Sequence, residues 1–195
     1  LRGPRAGLLP VVWSGILLSV FQQFVGINVI FYYSSTLWHS VGFSEADAFS
    51  ITVVTSIVNV LVTLVAIALV DKVGRKPLLV VGSAGMTLTL GLMALCFAHA
   101  SGSGAALTLP PPWGLLALVA ANLYVVFFGV SWGPMVWVLL GEMFPNRIRA
   151  IALAVAAAAQ WLANFAITAS FPALAELGLS FAYGVFHAAG PGHGK

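Results

Sequence analysis

Charge is what this sequence has least of. Only 7% of its 195 residues are Asp, Glu, Lys or Arg, against 61% hydrophobic residues and a mean hydropathy of +1.04. A water-soluble domain of this length carries roughly a quarter of its residues as charges to cover its surface, so a soluble globular fold is excluded. A single cysteine, Cys96, rules out an internal disulfide framework. Histidine is scarce and scattered: His39, His99, His187 and His193 lie at the ends of apolar runs or near the C-terminus, with no ligand-like spacing. No Gly-rich phosphate loop, metal cluster or nucleophile–base pair accompanies them. Metals, cofactors and enzymatic catalysis are therefore not expected, and a net charge of only +3 suggests no nucleic-acid partner. A cleavable signal is not expected either, because the first apolar run far exceeds an h-region.

What the sequence has in quantity is long hydrophobic runs. A transmembrane helix needs about 20 mostly apolar residues, and five stretches qualify: 10–33, 48–70, 77–98, 113–141 and 148–174. The remaining charges sort by connection. Arg2 and Arg5 precede the first span, Lys72, Arg75 and Lys76 separate the second from the third, and Arg147 and Arg149 separate the fourth from the fifth. The other connections hold Glu45, Asp47 and Glu176 and no Lys or Arg. Basic loops mark the cytoplasmic side, so the expectation is a multi-pass protein of the cell membrane with its N-terminus inside. Residues 1–9 read as a cytoplasmic linker and 10–186 as the membrane bundle. A sixth segment starts at 180–186 and is cut short by an atypical tail, 187–195. The chain reads as a fragment.

Polar side chains within spans are costly in lipid, and their positions are informative. In the second span Thr52, Thr55, Ser56, Asn59 and Thr63 share one helical face; in the fifth, Gln160, Asn164 and Thr168 recur every four residues. The first span carries Gln22, Gln23 and Asn28, and the fourth a stripe of Gly129, Gly133, Trp137 and Gly141. Two readings stay open. Such residues glue helices together by hydrogen bonds and close approach. Alternatively they line an aqueous cavity in which amides meet the hydroxyls of a neutral polyhydroxyl solute and an indole stacks on its apolar face.

Two spans contain helix breakers, Gly26-Ile27-Asn28 in the first and Gly133-Pro134 in the fourth. Broken helices at membrane depth are typical of transporter sites and gates, although a plain packing kink is the alternative for Pro134. Tyr32 and Tyr33 close the first span as a gate or as part of an interfacial aromatic belt. Asp71 and Glu142 stand at span ends, and no ionisable side chain lies at mid-depth to carry a proton.

The string Gln22-Gln23-Phe-Val-Gly26-Ile-Asn28-Val-Ile-Phe-Tyr32-Tyr33 resembles the seventh helix of the sugar porter family of the major facilitator superfamily. That family includes bacterial xylose– and glucose–proton symporters and animal facilitative glucose transporters. Asp71-Lys-Val-Gly-Arg75-Lys76 is similar to its loop between helices eight and nine. Gly133-Pro134-Met-Val-Trp137 and Glu142-Met-Phe-Pro-Asn-Arg-Ile-Arg149 resemble its tenth helix and that helix's cytoplasmic end. Gln160-Trp161-Leu-Ala-Asn164 is similar to its eleventh. The motifs occur in family order across residues 10–186.

The resemblance implies an all-α membrane protein of five complete transmembrane helices and a truncated sixth, the C-terminal half of a twelve-helix fold. It implies that Gln22, Gln23, Asn28, Trp137 and Gln160 contact a monosaccharide, with Gly133 lining the cavity. Asn59, Trp161 and Asn164 would be further contacts, and Tyr32, Tyr33 and Pro134 gate elements. Asp71, Arg75, Glu142 and Arg149 would form a cytoplasmic charge network. Gln160 and Ser131-Trp132 are closer to the bacterial symporters, which implies proton-coupled transport of a hexose or pentose by alternating access in the complete protein. The partners so implied are sugar, protons, lipid and an N-terminal six-helix half. The sugar-porter signature expected after the twelfth helix is absent, and the proton-coupling acid of the first half lies outside these residues. Two alternatives remain, a carrier for another polar solute such as a polyol or organic acid, and a truncated bundle without function.

Overall fold

The computed structural model describes residues 7–32, 34–40, 42–101 and 108–189, the side chains at 36, 37, 40 and 174–189 excepted. Tyr33, Arg2, Arg5 and the tail from 190 lie outside the described residues. The fold is all-α. Five stretches are long and apolar enough to cross a membrane, Pro10–Tyr32, Glu45–Val73, Arg75–Ala98, Trp113–Met143 and Arg149–Ala173. Among the described residues the only β feature is an isolated bridge between Ser101 and Thr108.

Two of these spans are broken. The first consists of α1 (Pro10–Phe24) and α2 (Ile27–Tyr32), followed by a short α3 (Ser34–Ser40). Between α1 and α2 Gly26 takes φ +87°, a left-handed conformation that a side chain would strain. The second span is one helix, α4 (Glu45–Val73). Ser44 caps it by accepting from the Asp47 amide at 3.1 Å, with Glu45 and Asp47 complementing the helix dipole. Gly74, at φ +90°, ends α4 and begins α5 (Arg75–Ala98), so the basic loop is a one-residue turn.

The fourth span is α6 (Trp113–Val130) and α7 (Trp132–Met143). Its break falls at Ser131, three residues before the expected Pro134. The reason is geometric: the first turn of a helix has unpaired N–H groups, so a proline lacking one is tolerated there and the disruption appears in the turn before it. The fifth span, α8, runs continuously from Arg149 to Ala189 with Pro172 inside it. The turn expected near 174–180 is therefore not formed, and 180–186 continues α8 instead of starting a separate segment. Ala173-Leu-Ala-Glu-Leu contains only good helix formers, and one glycine at 178 is too weak a breaker to force a turn.

Packing divides the bundle. Helices α5 and α6 approach closely because Gly82 and Gly85 carry no side chain: a Cβ at either would overlap Ser131 or Phe127. Val12, Val136, Leu140, Phe144, Ala152 and Ala156 bind α1 to α7 and α8 near the basic end. Ile27, Ile30, Met86, Tyr124, Val125 and Phe128 form the middle of the core, behind both breaks. Long apolar side chains are exposed along α4, among them Phe49, Val54, Ile57, Val60, Leu61, Leu64 and Ile67. Such a surface requires hydrocarbon or protein around it.

Candidate functional site

The buried face of α1 is Val12, Gly15, Ser19, Gln22 and Gln23. It is apolar near the basic end and turns polar just before the helix breaks. Gln22 and Gln23 are almost fully buried, at 3% and 6% exposure. The Gln22 amide nitrogen donates to the carbonyls of Trp132 at 2.8 Å and Gly133 at 3.1 Å, so α1 reaches the break of the fourth span directly. Its amide oxygen is buried and has no hydrogen-bond partner among the described residues. Beyond the break of its own span, Asn28 donates to the Gln23 side-chain oxygen. Thus Gln22, Gln23, Asn28 and Gly133 are brought together around two helix breaks.

Gln160 arrives from α8. The cluster joining Val12 to Ala152 and Ala156 shows α1 and α8 packed side by side, and both leave the basic end in the same direction. Equal rise in two parallel helices puts Gln160 about one to two turns from Gln22. The Gln160 side-chain oxygen is also buried and without a partner among the described residues, as is the Ser19 hydroxyl on α1. Buried amide oxygens without donors are uncommon and costly in native proteins. Asn164, on the same face of α8 as Gln160, is buried and accepts from Thr168 at 3.1 Å. Trp137 on α7 is 43% exposed, leaving its ring open for stacking.

Other candidates lie apart from this group. Trp161 is 67% exposed on α8, and Tyr32 is 55% exposed at the end of α2. Asn59 sits in the seam between α4 and α6, its side-chain oxygen 3.3 Å from where a Cβ at Gly129 would stand. The hydroxyl stripe around it is spent on bonds within the protein. Thr55 bonds Asn122 at 3.1 Å, Thr52 bonds Ser34 at 2.9 Å, and Ser56 and Thr63 donate to carbonyls one turn back.

At the basic end Arg75 joins Glu142 at 2.5 Å and Asp71 at 3.4 Å, linking α4, α5 and α7. Arg149 differs from expectation. Its Nε donates to the Phe144 carbonyl at 3.1 Å, and no ion pair involves it among the described residues. The turn between α7 and α8 places this guanidinium over the freed carbonyls of α7, which a cation satisfies well.

Tyr124, which the sequence reading passes over, and Trp132, to which it assigns no contact, complete the frame. The Tyr124 hydroxyl on α6 donates to the Val25 carbonyl at 2.5 Å, and the Trp132 indole donates to Ser83 of α5 at 2.8 Å. A lone tyrosine within an apolar span was the available signal, since a hydroxyl in hydrocarbon must find an acceptor.

Against known proteins, the model of the family described as sugar (and other) transporter matches residues 4–189. The chain belongs to this family. Within it, this sugar porter of the major facilitator superfamily is 61% identical over 183 residues to the glucose transport protein of Synechocystis, covering 93% of this chain and 39% of that relative. It is 44% identical over 162 residues to the D-xylose-proton symporter of Escherichia coli K12, covering 83% of this chain and 31% of the symporter. Among solved structures, the proton:xylose symporter XylE bound to 6-bromo-6-deoxy-D-glucose superposes with a TM-score of 0.72 at 40% identity, over 92% of this chain and 34% of that one. The sugar porter chain thus spans between about a third and two-fifths of the length of the curated relatives it matches, and its helices make it an integral membrane protein.

Proposed function

We propose that this bundle supplies the greater part of the sugar-binding face of a hexose or pentose carrier. It would work by alternating access against a second helical half, with the basic end and the N-terminus of the chain in the cytoplasm of a cell-membrane protein. One observation carries the reading: Gln22 and Gln160, on adjacent parallel helices, each keep a buried amide oxygen with no partner among the described residues, beside two broken spans. Uncharged amides accept the hydroxyls of a neutral sugar without the desolvation cost of an ion. Asn28 and Gln23 extend this polar group, Trp137 offers a stacking face, and Pro134 and Tyr32 lie where the spans bend and end. The names of the glucose and xylose–proton relatives support a monosaccharide and proton-coupled symport. Since no Asp, Glu, Lys, Arg or His stands at mid-span in this chain, the proton carrier belongs to the other half in this reading.

The test is uptake of labelled glucose and xylose by cells expressing the intact gene product, in competition with polyols and organic acids. Competition by monosaccharides alone is expected, with uptake abolished by Trp137→Ala. Transport insensitive to that substitution, or competed better by an organic acid, would overturn the assignment.

A further inference from the structure

The two broken spans hold one another. Gln22, on the last turns of α1, donates to the Trp132 and Gly133 carbonyls at the break between α6 and α7. In return Tyr124, on α6, donates to the Val25 carbonyl at the break between α1 and α2. A helix break strands carbonyl groups that the next turn would have bonded, and in hydrocarbon each needs a replacement donor. The Val25 carbonyl is such a group, since the Val29 amide turns to Gly26 instead, and its replacement donor comes from the opposite broken span. The Gln22 bonds to the first turn of α7 tie the two breaks together from the other side. Tyr124 is fully buried, packed with Ile27, Ile30 and Met86 in the middle cluster, so its ring is fixed and its hydroxyl has one place to go.

We propose that Tyr124 is a positioning residue for the site: its hydroxyl pins the Val25–Gly26 break and thereby sets the register of Asn28 against Gln23. The inference rests on the sugar-carrier reading for its functional consequence and on geometry alone for the latch. Val25 precedes the positive-φ Gly26, the one backbone position at this break with freedom to swing. Loss of the hydroxyl removes the side-chain bond to the Val25 carbonyl, the only one it receives among the described residues, and frees α2 to move relative to α1. Asn28 then samples positions in which its amide no longer meets Gln23. Tyr124 touches no solute itself; it acts through the backbone of the first span.

The experiment compares Tyr124→Phe with the parent in the intact gene product reconstituted in lipid nanodiscs. Backbone hydrogen exchange over residues 25–32 is expected to accelerate about fivefold, the equivalent of one lost net hydrogen bond, with α5 and α8 unchanged. Sugar uptake should show KM raised by a similar factor of about five, with the maximal rate and expression held. Unchanged exchange over 25–32, or a fall in maximal rate with KM intact, overturns the proposal. Should Tyr124→Phe not assemble, 3,5-difluorotyrosine at 124 keeps ring and hydroxyl while strengthening the donor; exchange over 25–32 should then slow, and no change overturns the latch. Gln160→Ala is measured alongside. If it leaves uptake intact, the sugar site is wrong, while the exchange result still decides the role of Tyr124.

Discussion

Helices α4 and α8 both carry polar residues through the membrane at regular helical spacing, yet they use them in opposite ways. On α4 each of Thr52, Thr55, Ser56 and Thr63 has a partner inside the protein. On α8 the Gln160 oxygen is buried without one among the described residues, matched across the helix pair by Gln22 and Ser19 on α1. A polar group whose bonds are complete serves the fold, across helices at Thr52 and Thr55 and within α4 itself at Ser56 and Thr63. One with bonding capacity left over at a helix break is suited to a ligand. The contrast separates glue from site where periodicity alone treats the two stripes alike.

The sharpest way to break the contrast is to remove the spare capacity. Gln160→Ala should lower the apparent affinity for sugar about tenfold to a hundredfold, the loss of one to two buried hydrogen bonds. It should leave helical content and resistance to unfolding in detergent unchanged, because that oxygen has no bond to lose among the described residues. A variant that unfolds early but transports normally would move Gln160 to the glue side.

The packed half is expected to fail differently. At Gly82 a Cβ meets Ser131 and comes within 3.1 Å of the Phe127 carbonyl, which cannot move aside as a flexible side chain would. Gly82→Ala should therefore cost about 1–3 kcal/mol in unfolding of the α5–α6 pair. At Gly91 a Cβ meets nothing within 4 Å, so Gly91→Ala should be neutral or slightly stabilising by helix propensity. Detergent-titration unfolding of the two variants side by side measures the difference. Equal midpoints would mean that the close approach of α5 and α6 is not what holds this half.

Thr55→Val sharpens the comparison at smaller scale. It deletes the bond to Asn122 across the α4–α6 seam while keeping shape. Interhelical hydrogen bonds of this kind contribute about 0.6 kcal/mol, so a small drop in unfolding free energy is expected, with sugar affinity unaltered. An affinity change larger than the stability change would place α4's stripe in the site.

Much of this is legible in the sequence. Span number followed from apolar run length, because the bilayer leaves the backbone few alternatives to a helix. The break at Gly26 is legible because a glycine with Asn28 two positions on is locally weak in a helix. The break at Ser131 was displaced from its cause, since Pro134 acts on the turn before it. Whether a stripe is glue depends on the residue opposite, and Asn122 lies 67 positions from Thr55; one-dimensional periodicity carries no such information. The same holds for Tyr124 and Val25, 99 positions apart. The continuous course of α8 past 174 is not legible for another reason: Glu176 reads as part of a charged connection, whereas helix propensity persists through it.

The smallest expected effect lies at the basic end, in the bond between Arg75 and Glu142. Its two side chains are 32% and 48% exposed, so solvent and salt screen the attraction despite the 2.5 Å separation. Arg75 also keeps contact with Asp71 and the Val70 carbonyl, leaving the guanidinium partnered when Glu142 is neutralised. Glu142→Gln should therefore cost the isolated bundle only about 0–1 kcal/mol, and less still as salt rises. If the pair instead fixes one state of a moving carrier, the substitution would alter the balance of inward- and outward-facing forms without a matching loss of stability. Accessibility of cysteines placed on either side of the bundle measures that balance. A shift in accessibility beside an unchanged unfolding midpoint assigns the pair to motion, and the reverse result assigns it to packing.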